Sequence, residues 1–124
     1  DYQKNYPQGK LVRVGFGKVL DVAVDLRRSS PTFGYYHSEE LSYDNKKQFW
    51  IPEGCAHGFI VLSDSADFLY KTTSFYNPED EETIKYDDVD LKIDWRIPNR
   101  DIIISDKDNS GISFKDAYLF EWIK

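Results

Sequence analysis

The sequence has a single cysteine, Cys55, and two histidines, His37 and His57. One thiol excludes an intrachain disulfide and a thiolate metal cluster. Barrel folds that hold a metal usually supply paired histidines, and no His-x-His pair occurs here, so no metal site is expected. Long apolar runs are missing too: the best stretch, Gly58 to Leu62, falls far short of a membrane span. The chain opens on Asp1-Tyr2-Gln3-Lys4 without the apolar core of a signal peptide, and a cytoplasmic protein is the simplest expectation. Basic runs are absent and the formal net charge is −6, so the long-range field repels polyanions and nucleic acid is not an expected partner. A small anionic ligand stays compatible, because a few converging Lys and Arg side chains can build a local positive pocket.

What is present describes an ordinary globular chain. Its 124 residues suit one domain over 1–124, with 40% hydrophobic and 31% charged residues. Aromatics reach 16%, with nine Tyr and eight Phe, which favours strands and aromatic-lined pockets over helical bundles. Strands are expected at 10–14, 18–26, 33–41, 48–51, 57–62 and 67–73, separated by a loop at Arg27 to Thr32 and turn signals at Gly15-Phe-Gly17, Asp44-Asn45-Lys46-Lys47, Pro52-Glu-Gly54 and Ser63-Asp-Ser65. In Lys18 to Leu26 (KVLDVAVDL), Val19, Val22 and Val24 alternate imperfectly with Asp21 and Asp25. An acidic loop at 77–82 precedes short strand-like pieces near Ile84 and Ile93, and Phe114 to Trp122 reads as one short helix. Strands at this spacing predict an all-β sandwich or barrel of the jelly-roll type with a short C-terminal helix.

Ile51-Pro-Glu-Gly-Cys-Ala-His-Gly-Phe59 is the segment richest in chemistry. A histidine flanked by small residues at a turn-to-strand junction can face a cavity, or can equally be a core imidazole satisfied by a backbone partner. Alternation sends Phe68 and Tyr70 to one face, which on its own reads as an aromatic core stripe. Lys10 at a strand start reads as a solvated end, and Ser105-Asp-Lys-Asp108 as a solvated turn. No phosphate-cradling glycine loop, Gly-x-Ser-x-Gly elbow or Cys/His nucleophile pattern occurs.

Taken in order, these segments resemble the dTDP-4-dehydrorhamnose 3,5-epimerase family. The blocks are Gln8-Gly-Lys-Leu-Val-Arg-Val14, Asp21-Val-Ala-Val-Asp-Leu-Arg27, Ser30-Pro-Thr-Phe-Gly34, Trp50-Ile-Pro-Glu-Gly54, Ala56-His-Gly-Phe59, Phe68-Leu-Tyr-Lys71, Asp94-Trp95 and Ser105-Asp-Lys-Asp108. They cover nearly the whole chain. The resemblance implies a cupin-like jelly roll, a homodimer, a dTDP-sugar substrate and no metal or organic cofactor. It implies inversion at C3 and C5 of dTDP-4-dehydro-6-deoxyglucose, on the way to dTDP-L-rhamnose. Both carbons flank the C4 ketone, so losing either proton gives an enolate, which calls for a base, a cation near the ketone oxygen and an acid on the other face. By motif, Tyr70 resembles the proton donor and Lys10 the lysine that holds the enolate oxygen. His57 resembles the substrate-contacting histidine, Asp108 the carboxylate that orients the base, and Tyr76 the tyrosine that stacks on thymine. Glu81 and Lys107 resemble further substrate contacts.

One departure stands out. The family's base is a histidine in an Arg-Gly-Leu-His-[Phe/Tyr]-Gln motif upstream of Gln-Gly-Lys-Leu, and here Asp1-Tyr2-Gln3 occupies that place. A segment shortened at its N-terminus is therefore expected, with little epimerase activity, since an aspartate is a weaker base than an imidazole. The alternatives to a 3,5-epimerase are a related sugar-nucleotide epimerase or ketoisomerase that inverts one centre, and an inactive cupin-like domain that binds a sugar nucleotide or only assembles.

Overall fold

The computed structural model describes residues 1–123. In chain order its elements are β1 (Tyr2–Gln3), β2 (Lys10–Phe16), β3 (Lys18–Asp25), β4 (Arg27–Arg28), β5 (Tyr36–Ser42), β6 (Gln48–Ile51), β7 (Cys55–Val61), β8 (Asp67–Thr72), β9 (Glu81–Glu82), α1 (Asp106–Asn109) and β10 (Phe120–Glu121). Two antiparallel sheets of three strands each, ordered β6-β2-β8 and β5-β3-β7, form the sandwich of a jelly roll, as the strand spacing predicts. Gly17 makes the tight link from β2 to β3: its φ is 80°, and a Cβ there would stand 2.2 Å from the Ser65 carbonyl oxygen. Gly15, expected in that turn, instead lies inside β2 beside a register shift between Val14 and Phe16.

The pleat of β3 explains the packing. Val19 and Ala23 pack with Val12 and Val14 of β2, Leu41 of β5 and Ile51 of β6, filling the space between the sheets. The alternate residues, Leu20, Val22 and Val24, turn outward and are covered by Tyr2, Leu91, Ile93, Trp95, Leu119 and Phe120. Each fully buried Val or Leu contributes about 1.5–3 kcal/mol relative to exposure, so covering this second face is a large part of the fold's stability.

That covering decides the fate of the C-terminal stretch. Residues 114–122, expected as a helix, form one 3-10 turn at Phe114–Asp116 and then β10, parallel to β4. Phe120 N–H donates to the Leu26 carbonyl and Trp122 N–H to that of Arg28. An extended chain lets Leu119, Phe120 and Phe114 all reach the same apolar sheet face, and this tertiary gain outweighs helical propensity. Arg27-Arg28, expected in a loop, becomes β4 by the same pairing.

Three buried carboxylates hold the connections. Asp25 accepts from Arg27 N–H and Nε at 2.9 Å each, and from the Ser30 and Thr32 hydroxyls at 2.6 Å each. Asp80 accepts from the Asn5 and Tyr6 N–H groups, and Asp88 from those of Asp90, Leu91 and Phe114. The donors around Asp25 hold its carboxyl well below the ordinary carboxylate range despite the opposing effect of burial. A depressed folded-state pKa adds stability that is present above the unfolded-chain value of about 4 and is lost as pH falls below it. Replacing Asp25 by Ala strands buried donors, so Asp25→Ala should cost about 2–4 kcal/mol at pH 7 in urea unfolding, and that difference should shrink below pH 4. A loss under about 0.5 kcal/mol, the range of ordinary surface substitutions, would contradict this role.

Candidate active site

Strands β7 and β8 end their respective sheets, and the sandwich opens between them. Across this opening the rings of Phe59 and Phe68 stack with centroids 4.2 Å apart and planes 13° from parallel. A cavity of about 520 Å³ lies here, large enough for a sugar and part of a nucleotide. Lys10, His57, Tyr70, Tyr76, Glu81, Lys107 and Asp108 all line it, so every site residue expected from the sequence comes to one place. The cavity has two sides. One is the polar space between the sheets; the other is apolar, formed by Val22, Gly58 and Ile60 on the outward face with Ile93 and Trp95 over them.

Lys10 is the first residue of β2, opposite Thr72 of β8 and Ile51 of β6. It is half-buried, not the solvated strand end that its position suggests. Its ammonium makes no ion pair or hydrogen bond among the described residues. Burial draws its pKa down, against the attraction of Glu81 and Asp21. A partly desolvated, unpaired cation at a cavity wall is a ready partner for a developing oxyanion.

His57 sits deeper. Its Nε2 lies 2.9 Å from Asp21 Oδ2, with both side chains nearly or wholly enclosed. Its partner is thus a carboxylate and not the backbone group of a simple core imidazole. Asp21 was the signal in the sequence that alternation misread. It shares the inward face of β3 with Val19 and Ala23, and its Oδ1 has no hydrogen-bond partner among the described residues. Burial holds the His57 pKa below its ordinary value and lifts that of Asp21, while the hydrogen bond between them opposes both shifts. The His57 ring also stacks with Phe59 and Phe68, at 6.4 and 6.0 Å between centroids. These contacts fix its plane.

Phe68 and Tyr70 do share one face, but it is a cavity wall and not a closed core. Tyr70 is 60% exposed, and its hydroxyl has no hydrogen bond among the described residues. On the facing side, Asp1 exchanges backbone hydrogen bonds with His57: its amine donates to the His57 carbonyl at 2.7 Å, and the His57 N–H donates back at 3.0 Å. The Asp1 carboxylate accepts from the Thr83 hydroxyl at 2.6 Å and lies 3.3 Å from the Lys107 ammonium. Lys107 also donates to Glu81 Oε1 at 2.5 Å, and this carboxylate raises its pKa.

The Ser105–Asp108 segment is largely exposed, as a polar turn suggests, but it is ordered and reaches the cavity. Ser105 Oγ caps α1 by accepting from Asp108 N–H, and the short helix carries Lys107 and Asp108 to the cavity. Asp21, Thr83 and Gln3 are the residues at or behind this site that sequence reasoning did not single out. Among the described residues, no group of three or more His, Cys, Asp or Glu side chains is placed to hold a metal ion. No helix in the described residues is long and apolar enough to cross a membrane.

The pairing of His57 with Asp21 is testable by histidine-selective NMR titration. His57 should titrate below the ordinary midpoint of about 6.5, and Asp21→Asn, which removes the favourable carboxylate, should lower it further. An unchanged or higher midpoint in Asp21→Asn would contradict the pairing.

Residues 1–116 match the family described as dTDP-4-dehydrorhamnose 3,5-epimerase. A protein of that name from Pseudomonas aeruginosa is 56% identical over 119 residues, covering 96% of this chain and 65% of its own length. The crystal structure of an enzyme of the same name from Elizabethkingia anophelis superposes with a TM-score of 0.90 at 52% identity, over 93% of this chain and 63% of that one. A dTDP-6-deoxy-D-glucose-3,5-epimerase from Legionella pneumophila, solved in complex with dTDP-4-keto-L-rhamnose, gives a TM-score of 0.94 at 47% identity, over 99% and 66% of the two chains. The chain thus spans just under two thirds of each of these relatives.

Proposed function

The chain belongs to the dTDP-4-dehydrorhamnose 3,5-epimerase family, and on that premise we propose that its cavity binds a dTDP-4-dehydro-6-deoxy sugar and inverts the carbons beside its ketone. One observation carries the reading: an unpaired Lys10 ammonium, a free Tyr70 hydroxyl and a buried His57–Asp21 pair line one cavity of about 520 Å³. A base takes the proton from C3 or C5, and the C–H electron pair moves into an enolate whose oxygen faces Lys10. Tyr70 returns a proton to the same carbon from the other side, which inverts it. The protonated base gives its proton to solvent and the Tyr70 phenolate takes one from it, and the step then repeats at the second carbon with no change in composition or oxidation state. Such chemistry asks for a cation and two proton carriers.

Burial suits Lys10 to this task, because a desolvated ammonium attracts an oxyanion more strongly than a hydrated one. His57, held by Asp21 and two phenyl rings, is the substrate-contacting group. Asp108 lines the cavity where a base-orienting carboxylate is expected, but beside an Asp1 carboxylate it repels, so that pairing is lost. Tyr76 offers a flat face for the thymine ring, with Glu81 and Lys107 as further contacts. The base position falls to Asp1, whose carboxylate is tied to Thr83 and Lys107 and is a weaker base than an imidazole. The homodimer and the cytoplasmic setting belong to the same proposal. The exposed outer face of β6-β2-β8, with Leu11, Trp50 and Leu69, supports a second copy against it.

Incubation with dTDP-4-dehydro-6-deoxyglucose in deuterated water, followed by NMR, tests the reading. Deuterium should enter slowly at both C3 and C5, and Lys10→Met should slow it about 100-fold or more. Asp1→His should speed it about ten-fold or more by supplying a better base at a backbone position already fixed. Exchange at one carbon only would favour a single-centre relative. No exchange with either the parent chain or Asp1→His would refute the proposal.

A further inference from the structure

Gln3 is among the most enclosed polar side chains of the molecule, 2% exposed. A buried carboxamide has one acceptor and two donor hydrogens to satisfy, and the partners of Gln3 fall in an ordered pattern. Its Oε1 accepts from the Asn77 N–H at 2.6 Å, while its Nε2 donates to the Phe75 carbonyl at 3.2 Å and to the Tyr6 carbonyl at 2.8 Å. The first two bonds bracket Tyr76. One side chain holds the backbone on both sides of it, much as a neighbouring strand would, although this loop pairs with none.

Among the described residues no other side chain bonds the backbone on both sides of Tyr76. Its ring is 61% exposed at the cavity, and Phe75 beside it is 96% exposed, so neither side chain anchors the loop by packing. Other ties act toward the loop's ends: Gln8 Nε2 and Thr72 Oγ1 donate to the Ser74 carbonyl, Asp80 N–H donates to the Asn77 carbonyl, and the Asp80 carboxylate accepts from Asn5 and Tyr6. The Gln3 backbone is paired with Glu81, whose carboxylate holds Lys107. Gln3 therefore touches the supports of three cavity residues from outside the cavity.

We propose that Gln3 is a positioning residue that sets the Tyr76 ring for stacking on the nucleotide base, and so controls binding without taking part in proton transfer. This rests on the reading above of Tyr76 as the base platform. A flat ring held at a fixed height and tilt loses less freedom on stacking, so a loosened loop weakens binding even with the ring present.

A double-mutant cycle with dTDP as the probe, read by titration calorimetry, separates this role from a merely structural one. Tyr76→Ala should weaken dTDP about ten-fold or more, the usual worth of a base stacked on an aromatic ring. Gln3→Met, similar in length but without the three hydrogen bonds, should weaken it about five-fold. In the Tyr76→Ala background Gln3→Met should add less than about two-fold, because the group it acts through is gone. Exchange into substrate at saturation should keep its rate in Gln3→Met while KM rises. Equal weakening in both backgrounds, or unchanged affinity in Gln3→Met beside a weakened Tyr76→Ala, would overturn the proposal alone. Unchanged affinity in Tyr76→Ala would overturn the platform reading and the proposal with it. Should Gln3→Met not fold, Gln3→Asn, too short to span residues 75 and 77 together, serves in the same cycle with the same outcomes.

Discussion

Strand β3 is apolar on one face and must bury both. Its sheet is pressed by Val12 and Val14 on the inner side and by Leu91, Ile93, Trp95 and Phe120 on the outer, which leaves Lys18 as its exposed residue. Its two carboxylates, Asp21 and Asp25, cannot reach water and must be satisfied where they stand. Asp25 does this with Arg27, Ser30 and Thr32, and thereby shapes the turn into β4. Asp21 does it for Oδ2 alone, with His57 across the β3-β7 ladder, and thereby fixes the imidazole at the cavity. The site's chemistry is thus a consequence of how the sandwich closes around one strand.

The same closure sets the electrostatics. The chain carries a formal charge of −6, yet Lys10 and Lys107 converge on the cavity, the first unpaired and the second shared between Glu81 and Asp1. Local geometry, not net charge, decides what such a pocket attracts. Partial burial separates the two lysines. Lys10 is drawn toward its neutral form and Lys107 is held charged by Glu81. The unpaired cation therefore sits where an oxyanion gains most, and the paired one beside the acidic wall.

Much of the strand layout was legible because alternation and turn residues report local backbone directly. β2, β3, β6 and β8 fall close to their expected bounds, and Gly17 and Gly54 mark turns with positive φ. The candidate site residues were read from motif resemblance, which composition alone did not supply, and they line one cavity. Asp21 was not, because period-two reading assigns an acid in a strand to water, whereas β3 has no wet face. Residues 114–122 were expected as a helix, and the sheet edge at Arg27–Arg28 that claims this backbone lies far away in sequence. The tie of the exposed Ser105–Asp108 segment to the cavity was hidden for the same reason: Glu81 and Asp1, which engage Lys107, are long-range partners.

In the proposed function the space between the sheets, and not the apolar side under Trp95, receives the reacting sugar. A crystal structure of the chain with a bound dTDP-4-dehydro sugar tests it most directly. The ketone oxygen is predicted within hydrogen-bond reach, about 3 Å, of Lys10 Nζ, with the Tyr70 hydroxyl and the Asp1 carboxylate on opposite faces of the sugar ring. A sugar seated against Ile93 and Trp95, with Lys10 left facing empty space, would contradict it.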